Sequence, residues 1–264
     1  MSEPASDDDD AALFKNRARA SSFGQNAQRY DETRPRYPDA FVDDLVAGGA
    51  TTVLDVGCGT GLLGRSFLER GLAVTGVEPD PQMAAIAERH GLAVEVATFE
   101  TWAARDRTFD LLVAGQAWHW VDPVPGAHKA AAVLRSGGTC AHAWNVGAFD
   151  ADLRAEIDEV YDRLASDALP LVPHRRERST ERSDSEQAFV DTGSFDGPDL
   201  ASYPWDETYT TAAWLSQLET HSDHALMAPD DRATLLAALG EVLDARGGSF
   251  VMHYDCEVTR FTRR

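Results

Sequence analysis

Residues 53–61 read VLDVGCGTG, and the fold turns on them. They continue a short apolar run, TTVLDV at 51–56, whose β-branched residues predict a buried strand. Gly57, Gly59 and Gly61 follow at alternate positions, and LLGRSFLER at 62–70 predicts a helix stopped by Gly71. A strand passing through a loop without side chains into a helix lets a ligand pack directly on the backbone, beside the open amides of the helix start. A tight strand-to-helix turn with no ligand is the plainer account of the same glycines.

The pattern repeats outward from this stretch. LAVTGV at 72–77 predicts a second strand, closed by Glu78, Pro79, Asp80 and Pro81. A helix over 81–90 has Pro in its first turn and Gly91 after it. Residues 92–97 predict a third strand and FDLLVA at 109–114 a fourth. A helix over 124–134 is followed by Ser136, Gly137 and Gly138 and a fifth strand over 139–144. Strands alternating with helices of about ten residues mean βαβ units and an α/β fold with a parallel sheet. Before the glycines, DAFVDDLV at 39–46 has helical apolar spacing, and 21–37 is polar with spaced aromatics. After Asn145 the rhythm changes. A helix is expected over 151–165, and a charged, Pro-punctuated loop or cap segment over 170–185. A strand over 199–209, helices over 211–220 and 229–245, and a long strand over 249–261 complete the chain.

The 264 residues include 44 acidic against 24 basic ones, for a formal net charge of -20. That balance argues against a nucleic-acid-binding face and against docking on anionic membrane. The bases are almost all Arg; the two lysines are Lys15 and Lys129. Residues 1–20 carry the run Asp7 to Asp10 and predict a disordered acidic tail rather than a secretory leader. No stretch of about 18 apolar residues predicts a membrane span. Cys58, Cys140 and Cys256 are odd in number and widely spaced, so neither a disulfide framework nor a metal site is expected. A cytoplasmic location follows as the expectation.

Glu78 ends the second strand, about 20 residues beyond the glycines, where a carboxylate can accept the hydroxyls of an adenosyl ribose. A dinucleotide fingerprint needs G-x-G-x-x-G. Counted from Gly57 it fails at Leu62. The shifted reading from Gly59 through Gly61 to Gly64 fits, but it starts three residues past the last apolar strand residue, Val56. Asp55, an acid inside the strand, suits a ligand with a cation near the loop.

DVGCGTG at 55–61, VEPD at 77–80, FDLLVA at 109–114 and LRSGGT at 134–139 together resemble the class I S-adenosylmethionine-dependent methyltransferases, in order and spacing over about residues 51–145. The segment from Phe23 to Pro38, with its Tyr30, Arg34 and Tyr37, and QAWHW at 116–120 are similar to the methyltransferase domain type 11 subgroup, which includes relatives of trans-aconitate methyltransferase. WDETY at 205–209 and THS at 220–222 resemble it less closely. The subgroup's G-x-A-E third-strand pattern is replaced by Ala97, Thr98, Phe99 and Glu100.

The resemblance implies a Rossmann-like doubly wound sheet of seven strands, mostly parallel with an antiparallel last strand. An N-terminal lid and helix (21–50), a cofactor-binding core (51–145), a cap inserted after strand five (146–198) and a C-terminal strand-helix-helix-strand unit (199–264) would form a single domain over 21–264. It implies S-adenosyl-L-methionine as cofactor, S-adenosyl-L-homocysteine as its product, and in-line methyl transfer to a small-molecule acceptor such as a carboxylic acid. The chain would be a monomer or homodimer.

Gly57, Gly59, Gly61 and the Cys58 amide would lie against the methionine part of the cofactor, and Asp55 would bind its amino group. Glu78 would hold the ribose; Pro79, Asp80, Thr98, Phe99 and Glu100 would flank the adenine. Tyr30, Arg34, Gln116 and Ala117 complete the expected cofactor set, with Arg34 also a partner for a substrate carboxylate. Trp118, Trp120 and Trp144 would wall the acceptor pocket. His119 is the candidate general base, because its reference pKa of about 6.5 suits proton transfer near neutrality. His142, inside an apolar strand, reads as a core residue. An NAD-dependent oxidoreductase and a non-catalytic S-adenosylmethionine-binding protein are the alternatives.

Overall fold

The computed structural model describes residues 26–165, 182–225 and 227–264. The expected acidic tail, Phe23 and most of the charged 170–185 segment lie outside those residues. A seven-stranded sheet runs through the molecule in the order β3-β2-β1-β4-β5-β7-β6. Its strands are β1 (Thr52–Val56), β2 (Ala73–Glu78), β3 (Ala93–Val96), β4 (Phe109–Gly115), β5 (Leu134–Ala148), β6 (Phe195–Thr210) and β7 (Ser249–Arg263). β1 to β5 pair in parallel, and β7 is antiparallel to both β5 and β6. This is the Rossmann-like sheet expected from the sequence.

The helices are α1 (Ala27–Thr33), α2 (Asp39–Val46), α3 (Leu62–Glu69), α4 (Pro81–Arg89), α5 (Pro123–Val133), α6 (Ala151–Leu164), α7 (Asp184–Asp191), α8 (Thr211–Leu218), the short α9 (Ser222–Ala225) and α10 (Pro229–Ala245). Side chains alternate across each strand, so β1 feeds two cores. Leu54 and Val56 join Ala127, Ala130 and Phe189 under α5 and α7. Val53 joins Phe41, Leu63 and Phe67 under α2 and α3. At about 25 cal/mol per Å² of apolar area, these two layers carry most of the burial that holds the sheet.

β5 meets β4 as far as Gly115↔Ala143, then continues against β7 to Ala148↔His253. β6 and β7 therefore overhang the carboxyl edge of the parallel strands. A third core covers the overhang, with Leu153, Ile157, Trp214, Leu235 and Leu239 packed around Met252 and Tyr254. The C-terminal unit is thus held beside the edge where open α/β sheets bind ligands.

Helices α2 and α10 span the predicted residues, and the other expected helices differ by a residue or two at their ends. β5 is much longer than the predicted 139–144, because its tail gains a partner only from β7, 100 residues later in the chain. β6 begins at Phe195 rather than 199, and α7 starts inside the segment read as a loop. Ser183 and Glu186 form a reciprocal capping box at its start.

Candidate active site

Loop 57–61, the ends of β2 and β4, and residues 98–100 enclose a cavity at the carboxyl edge of the sheet. Of the expected site residues, Tyr30, Gly57, Gly59, Glu78, Pro79, Asp80, Thr98, Phe99, Glu100, Gln116, Ala117 and Trp120 line it. Val56, Met83, Gly115 and Val121 also line it, and none of these was singled out from the sequence.

The glycine loop takes its shape from the neighbouring strand. The Gly57 and Cys58 amides both donate to the Val77 carbonyl, at 2.8 and 3.3 Å. Gly57 has φ 65°, and a Cβ there would stand 2.6 Å from the Ala117 Cβ. Only glycine serves at this position. The Gly59 amide donates to Glu78 Oε2 at 2.9 Å, and the Asp80 amide donates to Glu78 Oε1 at 2.9 Å. Asp80 in turn caps α4, accepting from the amides of Gln82 and Met83.

Glu78 is only 7% exposed. Burial pushes its carboxyl up to about 7, against the pull of the Asp80 and Gly59 amides and with added repulsion from the Asp80 carboxylate. A carboxylate has about four acceptor sites. Two are taken by backbone amides, so the remainder face the cavity wall that Glu78 helps to form. Those free acceptor sites fit a pair of ribose hydroxyls as donors.

Gln116 has φ 55°, unusual for a residue other than glycine. Its amide donates to the Ala143 carbonyl and its Nε2 to the Asn145 carbonyl, at 2.9 and 3.0 Å. Two bonds to β5 thus hold a costly backbone conformation at the end of β4, on the cavity wall.

Several expected site residues lie elsewhere. Asp55 alternates to the face opposite Val56 and is 1% exposed. It interacts with the Gly64 amide at the start of α3, where the N-cap residue, Gly61, has no side chain to do so. Its Oδ2 has no hydrogen-bond partner among the described residues, and Asp55 does not line the cavity. Burial raises it to about 7, opposed by the Gly64 amide and reinforced by Glu78. Cys58 turns its sulfur toward Gly76, and its amide is already spent on Val77. Gly61 turns into α3 with φ 86°, and a Cβ there would press on Leu92 and Ala87. Gly64 is equally crowded, by Leu92 and Asp55. The second and third glycines of the shifted dinucleotide pattern are therefore packing residues.

The 3-10 turn over Trp118–Trp120 separates its aromatics, because successive side chains diverge by about 120°. Trp118 points inward, 2% exposed, stacked on His142 at 4.1 Å and against Phe189 at 5.5 Å. It is a core residue, not a pocket wall. Trp120 points into the cavity. His119 stacks on Trp144 at 5.1 Å and 24°, and neither ring lines the cavity. His142 is buried beside Cys140, and burial pushes its pKa down to about 3.

Arg34 stands behind Tyr30, with its guanidinium 4.9 Å from the ring centroid. Its Nε donates to Thr220 Oγ1 and its Nη2 to the Thr220 carbonyl, at 2.9 and 3.0 Å. It ties α1 to the end of α8, as does the Arg29–Glu219 pair. On the other side α1 is held to α4 through Asp31 and His90 at 2.8 Å. Tyr37, unassigned from the sequence, brings its hydroxyl so close to Gly115 that a Cβ there would clash at 2.3 Å. In the sequence it stands out only as part of the segment from Phe23 to Pro38.

Residues 54–142, which contain most of this cavity, match the family model described as Methyltransferase domain. Uncharacterized methyltransferases of Mycobacterium bovis and Mycobacterium tuberculosis are 41% identical to this chain over 127 residues, 47% of this chain and 52% of theirs. A malonyl-[acyl-carrier protein] O-methyltransferase of Enterobacter lignolyticus is 33% identical over 128 residues, 46% of this chain and 51% of its own. The chain thus matches about half the length of these curated relatives. The solved structure of a type II methyltransferase from Anaeromyxobacter dehalogenans is similar in fold, with TM-score 0.65 and 24% identity, over 87% of this chain and 97% of that one. Among the described residues, no helix is long and apolar enough to cross a membrane, and no cluster of His, Cys, Asp and Glu could hold a metal.

Proposed function

We propose that this chain is an S-adenosyl-L-methionine-dependent methyltransferase acting on a small-molecule acceptor that carries a carboxylate. The observation that carries the cofactor reading is Glu78, a buried carboxylate fixed by two backbone amides in the wall of a glycine-floored cavity. Glu78 would hold the ribose hydroxyls. Pro79, Asp80, Thr98 and Phe99 would border the adenine, and Gly57, Gly59, Gln116 and Ala117 the methionine end. The cofactor supplies a methyl group on a cationic sulfur, already activated for displacement.

The protein's task is then to align the acceptor and exclude water. Tyr30 and Trp120 line the acceptor side and cover apolar surface there. Arg34, behind Tyr30, supplies a positive charge in a chain of net charge -20. It would offset an acceptor carboxylate. A carboxylate oxygen is nucleophilic without deprotonation, so His119 need not act as a base; its stacking on Trp144 instead suits support of the Trp120 wall. The enterobacterial relative named above is an O-methyltransferase of an acid thioester, which is consistent with a carboxylate acceptor. The position of Gly61 supports this reading over a dinucleotide oxidoreductase, since the second glycine of that motif would face a pyrophosphate and Gly61 packs toward Leu92 and Ala87 instead.

Isothermal titration with S-adenosyl-L-homocysteine and with NADH tests the cofactor. Binding of the former alone is expected, and binding of NADH alone would reject the reading. Methyl transfer from labelled cofactor to a panel of carboxylic acids, phenols and amines tests the acceptor. Turnover confined to amines would reject the carboxylate.

A further inference from the structure

We infer that Lys129 is a positioning residue that sets the adenine-side wall of the cavity from outside it. The inference rests on the cofactor reading above. The wall consists of Thr98, Phe99 and Glu100, in a turn between β3 and β4 that belongs to no helix or strand. Within the turn, the Thr98 carbonyl accepts from the Thr101 and Trp102 amides, at 3.2 and 2.9 Å, and the Thr98 and Thr101 hydroxyls meet at 2.9 Å. Trp102 Nε1 donates to Glu95 Oε2 at 2.9 Å, the Arg107 guanidinium lies over the Trp102 ring, and Phe99 packs against Trp118. Further ties come from α5.

From α5, the Lys129 ammonium donates to the Glu100 carbonyl at 3.0 Å and to the Trp102 carbonyl. It also stands 5.4 Å from the Phe99 ring centroid and 5.7 Å from that of Trp102. Those two rings stack on each other at 6.4 Å and 24°. One cation therefore gathers two carbonyls and two aromatic faces, all within the turn that forms the wall. A second tie runs from the Asp122 amide, at the start of α5, to Glu100 Oε1 at 2.9 Å.

The residue type matters. The chain uses Arg almost everywhere, and Lys129 is one of its two lysines. An ammonium is a compact point charge with three donors free to converge on carbonyls at different angles. A guanidinium is a planar fork and cannot do so in the same space. Burial weakens the ammonium's hold on its proton, while the Glu100 carboxylate supports it.

The test compares the full-length wild type with K129M and K129R. Calorimetry measures binding of S-adenosyl-L-homocysteine and of its inosine counterpart, which differs only in the base, and thermal melting is recorded alongside. K129M is expected to bind S-adenosyl-L-homocysteine about tenfold more weakly and to lose most of the wild type's preference for adenine over hypoxanthine. With a turned-over acceptor, the cofactor KM should rise while kcat at saturation holds. An unchanged affinity and base preference in K129M overturns the inference, as does equal weakening of both ligands. If K129M does not fold, K129R decides: weaker binding with a lost base preference supports the role, and wild-type behaviour overturns it. A wild type that binds neither ligand rejects the cofactor reading itself, an outcome distinct from a wild type and K129M that bind alike.

Discussion

The two ends of the sheet hold carboxylates whose pKa values move in opposite directions. At the amino edge, the half-buried Asp110 near the start of β4 accepts from the Thr51 amide, the Thr51 hydroxyl and the Thr52 amide, at 2.6, 2.9 and 3.0 Å. The Arg135 guanidinium pairs with its other oxygen. Burial alone would raise its pKa, but these partners outweigh it and bring the carboxyl down to about 2. At the carboxyl edge, Glu78 has two amide partners and no cation, and Asp55 interacts with one amide; burial wins and raises both to about 7. One end is saturated with donors and closes the fold. The other is left short of donors, and a ligand can supply them.

This contrast can be tested from its largest expected effect to its smallest. The greatest loss should come from Trp118→Ala. It opens the core beneath the site turn, and about 3–5 kcal/mol of stability should disappear in urea melts. Trp120→Ala, two residues on, should cost far less stability and weaken ligand binding instead. Equal losses from the two would show that the turn does not divide core from wall.

Asp110→Ala should cost about 2 kcal/mol, because it removes the acceptor of three hydrogen bonds at the strand edge and an ion pair with the half-exposed Arg135. The affinity of the refolded protein for S-adenosyl-L-homocysteine should not change. A variant that melts like wild type would mean the amino-edge bonds contribute little.

Glu78→Gln should invert that result. Loss of about tenfold in S-adenosyl-L-homocysteine affinity, roughly 1.4 kcal/mol, is expected without loss of stability at pH 8. The wild-type affinity should also tighten from pH 6 to 8, because ribose hydroxyls donate best to the ionised carboxylate. Glu78→Gln should flatten that profile, and a pH-dependence that survives the substitution would point to another group.

The smallest effect is on stability as a function of pH. Asp55 and Glu78 have folded pKa values raised above 3.8 and 4.5. Their contribution is fully present below those values and is lost as pH rises through about 7. Asp110 behaves in the opposite sense. Its contribution is present above 3.8 and is lost as pH falls through about 2. Melting of the ligand-free protein and of Glu78→Gln across pH 4–8 should show the high-pH loss shrink in the variant. Parallel curves would remove Glu78 from the account.

The βαβ core was legible because its signals are local. Each buried strand is a short apolar run closed by Gly or Pro, and α10 is legible for the same reason. The capping box before α7 was equally present in the sequence, at Ser183 and Glu186, but the charged residues preceding it masked the helix. Which side of the strand a polar residue faces was harder to read. Asp55 belongs to the same motif as Gly57, yet strand alternation sends it to the start of α3. Trp118, His119 and Trp120 are neighbours in sequence, and a 3-10 turn gives them three surroundings.

The contacts of Tyr37 and Lys129 were not legible, although Tyr37 falls in the segment from Phe23 to Pro38 and Lys129 is one of two lysines. Their partners, Gly115 for one and residues 100 and 102 for the other, are set by how α1, α2 and α5 pack on the sheet. The sequence by itself determined the order of strands and helices, the glycine-floored loop and the acid that ends β2, because backbone conformation and strand burial depend on near neighbours. Tertiary structure alone decided which carboxylates keep their charge and which aromatics reach the cavity. Those outcomes depend on donors and packed surfaces brought in from distant parts of the chain, such as Ala143 and Asn145 to Gln116, Thr220 to Arg34, and the overhanging strands β6 and β7 beside the carboxyl edge.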